Sequence, residues 1–214
     1  MNHKPIFIHS NITGGHYALK TDKSNKPFEN PMSINTKIKL KSDDIVVDIG
    51  AYIGEYSMWA MKNGAKKVYA YEPTPYTFKI LKKNQIPNME IFNIAVVGND
   101  KKFVNLNISS GIGVTNSIVK GNKKGGVINV PAIKYEDALK DATIVKIDVE
   151  GAEYTYNIIQ PQLRAIILEF HPIVKKPWKI WAEKIMNDIE ANGYKAVVKP
   201  TFKSGWNLTG CWEK

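Results

Sequence analysis

A glycine-bearing turn between an apolar run and a helix constrains this chain more than any other feature. In KSDDIVVDIGAYIGEYSMWAMKNG a polar turn feeds the short, nearly continuous apolar run of a central parallel strand. Gly50 and Gly54 bend the chain, and a helix follows that closes at Gly64. KKVYAYEP is predicted as a second strand and TPYTFKILKKN as a second helix, with Thr74 as its N-cap and Pro75 in its first turn. MEIFNIAVVG reads as a third strand. Beyond it the period changes: KFVNLNI alternates and finds a companion in VINVPAI, across the glycine- and lysine-rich loop SSGIGVTNSIVKGNKKGG. YEDALK is a short helix, IVKIDVEG and RAIILEFHP are buried strands, and WKIWAEKIMNDIEANG is an amphipathic helix with Trp178, Trp181, Ile185 and Ile189 on one stripe. YKAVVK and LTGCWEK close the chain as an antiparallel pair. Strands alternating with helices predict an α/β fold: a Rossmann-like doubly wound sheet, mostly parallel, with an antiparallel C-terminal strand. Residues 1–42 read as an irregular arm and a lid, and residues 43–214 as the folded domain.

The turn itself limits the ligand. A dinucleotide fingerprint needs G-x-G-x-x-G, but here the run is Gly50-Ala51-Tyr52-Ile53-Gly54, and Tyr52 would crowd a pyrophosphate. A nucleoside with a small zwitterionic end and no phosphate fits better. Glu72 ends the second strand about 20 residues past the turn, the place from which an acid accepts hydrogen bonds from ribose hydroxyls. Asp48, just before Gly50, is placed to hold the turn or an ammonium group. Gly50 and Gly54 allow a tight turn and close approach of a ligand to backbone amides at the helix N-terminus, while the glycines alone would also suit a plain strand-to-helix turn.

In IVKIDVEGAEY the charges of Lys146, Asp148 and Glu150 recur at every second position, so a strand turns all three to one side. Charges are costly to bury unless paired or engaged. Asp148 and Glu150 are therefore expected at the ligand-binding rim, with Lys146 deeper on the same face as a neutralising partner. Glu153 reads as a structural carboxylate at a helix N-terminus. LEFHP brings Glu169 and His171 to the same rim, which makes His171 the candidate general base. His3, His9 and His16 lie in the irregular arm. An Asp148, Glu169 and His171 set has no metal-specific spacing, and no metal is assigned.

The 214 residues carry 30 basic against 20 acidic side chains, a net charge of +10, which admits a nucleic-acid partner. That excess is nearly all lysine in scattered pairs; Arg164 is the sole arginine, whereas phosphate clamps favour arginine. No apolar run is long enough to span a bilayer, MNHKPIFIHS lacks the features of a secretory signal, and Cys211 has no disulfide partner. The expectation is a cytoplasmic protein without a membrane partner; composition leaves the oligomeric state open.

Taken in order from about residue 44 to 171, VVDIGAYIGEYS, VYAYEPTPYTFKILKKN, FNIAVVGND, VPAIKYEDAL and VKIDVEGAEY resemble FkbM-type S-adenosylmethionine-dependent methyltransferases. The resemblance makes residues 43–214 a class I methyltransferase domain. It implies that Asp48, Gly50, Tyr52 and Gly54 surround the methionine moiety of S-adenosylmethionine, that Glu72 binds its ribose, and that Asn93, Ile94 and Ala95 flank adenine. It further implies O-methylation of a hydroxyl on a sugar or small metabolite, a small-molecule or glycan acceptor. His171 would take the proton, with Asp148 or Glu150 orienting the acceptor and Glu169 beside them. The arm and the loop around 109–126 would act as lids. Two rivals stay open. An RNA methyltransferase is motivated by the charge and by Trp178, Trp181, Trp206 and Trp212, although Lys146, Asp148 and Glu169 echo a Lys-Asp-Lys-Glu tetrad only loosely. The other is a non-catalytic cofactor-binding subunit.

Overall fold

The computed structural model describes residues 37–108, 116–119, 126–173, 175–202 and 208–214. Its main sheet has seven strands in the order β3-β2-β1-β7-β8-β10-β9. These are β1 (Ile45–Ile49), β2 (Lys67–Tyr71), β3 (Met89–Phe92), β7 (Ile144–Ile147), β8 (Ala165–Phe170), β9 (Lys195–Val198) and β10 (Leu208–Glu213). The first five run parallel, and β10 is antiparallel to both neighbours. Helices α1 (Glu55–Lys62), α2 (Pro75–Asn84), α3 (Tyr135–Leu139) and α4 (Trp178–Ala191) connect the strands. The chain winds outward from β1 through β2 to β3, then returns to β7 on the other side of β1. That reversal makes the β1/β7 boundary the switch point at which ligands bind in such sheets.

Strand alternation divides the core between the two faces of the sheet. Val47, Ile49, Val145, Ile147, Ile166 and Leu168 pack with α3, α4 and Trp212. Val46, Val68, Ala70, Ile144 and Ile167 pack on the other face with α1 and Ile38. Central strands covered on both sides read as continuous apolar runs, the pattern seen in IVVDI and AIILEF. In α4 the fully buried positions are Ala182, Met186 and Ile189, while Trp178, Trp181 and Ile185 flank them half-buried. Arg164 fastens the bottom of the sheet. Its Nε donates to Asp44 Oδ1 at 2.7 Å, its guanidinium also reaches Glu213, and it donates to the Lys39 carbonyl at 2.9 Å. Burial alone would raise the Asp44 carboxyl, but Arg164, the Lys41 amide and Thr143 outweigh it and hold it below its usual value.

One sequence expectation is corrected and one refined. MEIFNIAVVG is not one strand: it breaks after Phe92, and β4 (Ala95–Val97) joins a separate three-stranded sheet, β4-β6-β5, with β5 (Phe103–Asn107) and β6 (Val127–Lys134). The break lies at Asn93, whose side-chain amide donates to the carbonyls of Glu72 and Pro73 at 2.8 and 3.0 Å. Thr74 occupies the N-cap position of α2 but makes no side-chain cap bond; its hydroxyl oxygen accepts from Asn116 Nδ2 at 3.0 Å. The expected lids lie largely outside the described residues, as do His3, His9, His16 and Trp206. Among the described residues no helix is long and apolar enough to cross a membrane.

Candidate functional site

The parallel strands β2, β1, β7 and β8 end together, with Ile49 in register with both Tyr71 and Ile147, and Ile147 with Leu168. The glycine turn begins there. Gly50 has φ 80°, and a Cβ on it would stand 1.8 Å from the Asp148 carbonyl oxygen. What approaches Gly50 so closely is the chain leaving β7, which locks the first and fourth parallel strands together. Gly54, φ 92°, sits against Leu81 and Met89. The amides of Gly50 and Ala51 both donate to the Tyr71 carbonyl at 3.0 Å, and that of Tyr52 donates to Glu72 Oε2 at 3.0 Å. These three turn amides, which precede the α1 N-terminus at Glu55, are committed within the protein. A turn so engaged does not cradle a pyrophosphate, which agrees with the missing middle glycine.

Glu72 is buried, and besides Tyr52 it accepts from the Thr74 amide at 2.8 Å through Oε1. Burial pushes its carboxyl up to about 7, against the hydrogen bonds from Thr74 and Tyr52 that favour the ionised form. Each oxygen keeps acceptor capacity after one backbone bond. Half-buried Tyr52 lies beside it with φ 52°. Asp48 is fully buried: Oδ2 accepts from Ser57 Oγ at 2.6 Å and Oδ1 lies 3.5 Å from Lys146 Nζ. Its carboxylate thus anchors the first turn of α1 to the sheet. Half-buried Asn93 is stitched to the end of β2, and Ala95 is buried in the core of the small sheet.

Lys146 lies directly across from Asp48 in the register, and its Nζ is 3.3 Å from Asp148 Oδ2. Burial pulls its ammonium down, but Asp148, Asp48 and Glu169 outweigh that and hold it above the ordinary lysine value. The alternation expected from sequence carries as far as Asp148. Glu150 arrives differently, through a left-handed backbone (φ 55°) that turns the chain after β7. Asp148, Glu150 and Glu169 meet around buried His171, whose Nε2 lies 3.6, 3.6 and 3.7 Å from their nearest oxygens. Burial would lower the imidazole, but Glu153, Asp148 and Glu150 reverse that and push it up to about 10.

Two features of this rim escaped the sequence, and a third, Glu153, reads there as structural without its partner. Glu153 is a fully buried clamp: it accepts from the Gly151 amide at 2.8 Å and from the His171 amide at 2.7 Å, tying the β7 exit to the end of β8. Its acidity beside a glycine was visible, its partner 18 residues away was not. Ser57 gave no signal as the partner of Asp48. The segment 116–119 crosses the rim, with Asn116 on Thr74 and Ser117 Oγ donating to the Glu150 carbonyl at 2.6 Å.

A mostly parallel sheet with an acid-held glycine turn and a polar rim where its strands end defines a Rossmann-like domain. A sequence model of the methyltransferase FkbM domain matches residues 48–196, and the chain belongs to that methyltransferase family. Among solved structures, a methyltransferase FkbM from Methylobacillus flagellatus KT superposes with a TM-score of 0.55 at 13% identity, over 82% of this chain and 44% of that one. The chain thus spans less than half the length of that relative. An rRNA methylase from Streptococcus thermophilus gives a TM-score of 0.48 at 11% identity, covering 82% and 89% of the two chains. M. capricolum TrmK, solved with S-adenosyl-homocysteine, gives 0.44 at 10% identity, covering 80% and 62%. No curated protein matches the chain.

Proposed function

We propose that this chain is an S-adenosylmethionine-dependent O-methyltransferase acting on a hydroxyl of a sugar or small metabolite. One observation carries the cofactor half: Glu72, buried at the switch point, is aligned by the Tyr52 and Thr74 amides and keeps lone pairs for two vicinal hydroxyls. The site fits the group in a second respect. The engaged turn amides disfavour a phosphate, and S-adenosylmethionine is a nucleoside that has none. When bound, it supplies an electrophilic methyl on a sulfonium. Gly50, Tyr52 and Gly54 would shape the turn beside the methionine moiety, Asp48 would hold that turn from beneath, and Asn93 and Ala95 would place the wall next to adenine.

The chain's own work is then to orient the acceptor, take its proton and exclude water. His171 is the base by sequence, but its imidazole is buried, and among these carboxylates it holds its proton at neutral pH. Asp148 and Glu150 keep 24% and 23% of their side chains exposed, so their oxygens are the ones an incoming hydroxyl meets. We assign them to orient the hydroxyl and accept its proton on a carboxylate oxygen, with His171 and Lys146 balancing their charge and Glu169 behind them. The RNA reading loses support because the single arginine is bound to Asp44 and Glu213 at the opposite end of the sheet.

The test is transfer of a labelled methyl group from S-adenosylmethionine to a panel of sugars, small hydroxylated metabolites and RNA. Label in a small hydroxyl acceptor supports the reading. Label in RNA with steep salt dependence overturns it in favour of the RNA enzyme. Tight cofactor binding with no labelled product on any acceptor overturns it in favour of a non-catalytic subunit.

A further inference from the structure

Among the described residues, the rim between β7 and β8 gathers four carboxyl groups around one histidine. Asp148, Glu150, Glu153 and Glu169 all have an oxygen 3.5–3.7 Å from a His171 ring nitrogen. Lys146 sits between Asp48 and Asp148. Glu153 is engaged by two backbone amides. His171 is buried, yet neither ring nitrogen makes a hydrogen bond, and Nε2 is aimed into the space among the other three carboxyl groups. Buried polar nitrogens left without hydrogen bonds call for an explanation, and an ion is one.

We propose that Asp148, Glu150 and His171 bind a divalent transition-metal ion. Nε2 and one oxygen from each carboxylate lie within 4.8 Å of one another, with both Nε2–oxygen separations at 3.6 Å. Ligands about 2.1 Å from a shared ion stand about 3.4 Å apart in a tetrahedron and about 3.0 Å apart at adjacent corners of an octahedron. Small rotations of two half-exposed carboxylates close that gap without moving the buried histidine. Glu150 completes the set, in place of the Glu169 considered from sequence. One imidazole with two carboxylates selects Mn²⁺, Fe²⁺ or Zn²⁺ over Mg²⁺ and Ca²⁺, which prefer oxygen alone. Ser117 holds the Glu150 backbone and Glu153 fixes the His171 backbone, so both ligand positions are held by hydrogen bonds with their neighbours.

Both carboxylates face solvent in part, so a bound ion keeps open positions there. On the methyl-transfer reading, on which this role alone rests, an open position takes the acceptor hydroxyl. The O–H bond then breaks with its proton passing to water, and Asp148 and Glu150 serve as ligands in place of proton acceptors.

The experiment titrates Mn²⁺ and, separately, Zn²⁺ into the chelator-stripped full chain without cofactor or acceptor, followed by calorimetry and, for Mn²⁺, electron paramagnetic resonance. One equivalent is expected to bind at micromolar concentrations or tighter. Asp148→Asn and Glu150→Gln should each weaken binding at least tenfold, while the remote Glu90→Gln leaves it unchanged. Circular dichroism confirms that each variant is folded. Absence of binding at millimolar ion, or affinity unchanged in both rim variants, overturns the site and leaves the rim a salt-bridge cluster. Methyl transfer at full rate in chelator would remove the ion's role while the assigned function stands, and metal binding without methyl transfer would do the reverse.

Discussion

Glu72 makes the cofactor hypothesis measurable before any acceptor is known. Burial lifts its carboxyl from 4.5 to about 7, so between these values the folded chain holds a proton that the unfolded chain has lost. Stability therefore falls as pH rises through this window, and is lowest above it. Ionising Glu72 costs the fold about 3 kcal/mol in all, of which about 2 kcal/mol falls between pH 5.5 and 8.5. Glu72→Gln should abolish that dependence. It sets an amide N–H against the Tyr52 or Thr74 amide, a pH-independent cost of about 1 kcal/mol. Urea denaturation of both proteins at several pH values isolates Glu72, since other titrating groups contribute equally to each. The difference in unfolding free energy, parent minus variant, should fall by about 2 kcal/mol from pH 5.5 to 8.5. Ribose hydroxyls donate to the ionised form. Binding of S-adenosyl-homocysteine, read by calorimetry, should therefore be weaker by up to about thirtyfold at pH 5.5 than at 8.5, and Glu72→Gln should bind weakly at both. Parallel stability curves, together with cofactor affinity unchanged by the substitution, would refute the assignment.

Gly50→Ala places a methyl carbon on the Asp148 carbonyl at a positive φ, and should lower unfolding free energy by about 2–5 kcal/mol in thermal or urea melts. Arg164→Met removes the partner of buried Asp44 and should cost about 2–4 kcal/mol; the loss should shrink toward acid pH, where Asp44 can protonate, which a pH series of melts will check. Ser57→Ala leaves one oxygen of buried Asp48 without its 2.6 Å hydrogen bond and should cost about 1–3 kcal/mol while leaving the far-ultraviolet spectrum unchanged. RNA retention on filters at 50 mM salt should be no stronger than for a lysine-rich control protein of equal charge; tight retention lost steeply with salt would restore the RNA reading.

What could be read from sequence was whatever a single residue's neighbours along the chain decide. The apolar run IVVDI, the glycine turn and the placing of Glu72 depend on local spacing, and the doubly wound, mostly parallel sheet follows from strands alternating with helices, though its strand order does not. MEIFNIAVVG gave no such help, because apolar content continues across the break. What stops β3 is the side chain of Asn93, turned back to carbonyls 20 and 21 residues earlier. The same holds at the rim. Period-two spacing foretold that Lys146 and Asp148 would share a side, but Glu150 joins them only through a left-handed turn that no alternation rule contains.

His171 shows why this matters for chemistry. By sequence it is a histidine at a strand end beside acids, and that description fits a base, a metal ligand and a charged partner alike. The three differ in what lies around the ring, and the surroundings come from two stretches of the chain, 148–153 and the end of β8. Asp148 follows β7, Glu150 lies in the turn after it, Glu153 is in the 3₁₀ turn Ala152–Thr155, and Glu169 comes from β8. Such an enclosure disfavours a neutral imidazole. A histidine here stabilises its neighbours only when a positive charge accompanies the ring, either its own second proton or a bound cation. The Glu153 clamp fixes the backbone of His171 independently of its ring. The ring's environment is therefore set by the fold before any ligand arrives, and a neutral residue such as Gln at position 171 should leave the carboxylates repelling one another at the rim. His171→Gln is accordingly expected to lose more stability at pH 6 than at pH 9, because the raised imidazole contributes in full below its unfolded value near 6.5 and progressively less as pH climbs toward about 10. Denaturation at the two pH values decides the point: a loss no larger at pH 6 than at pH 9 would mean that the ring packs as an uncharged group.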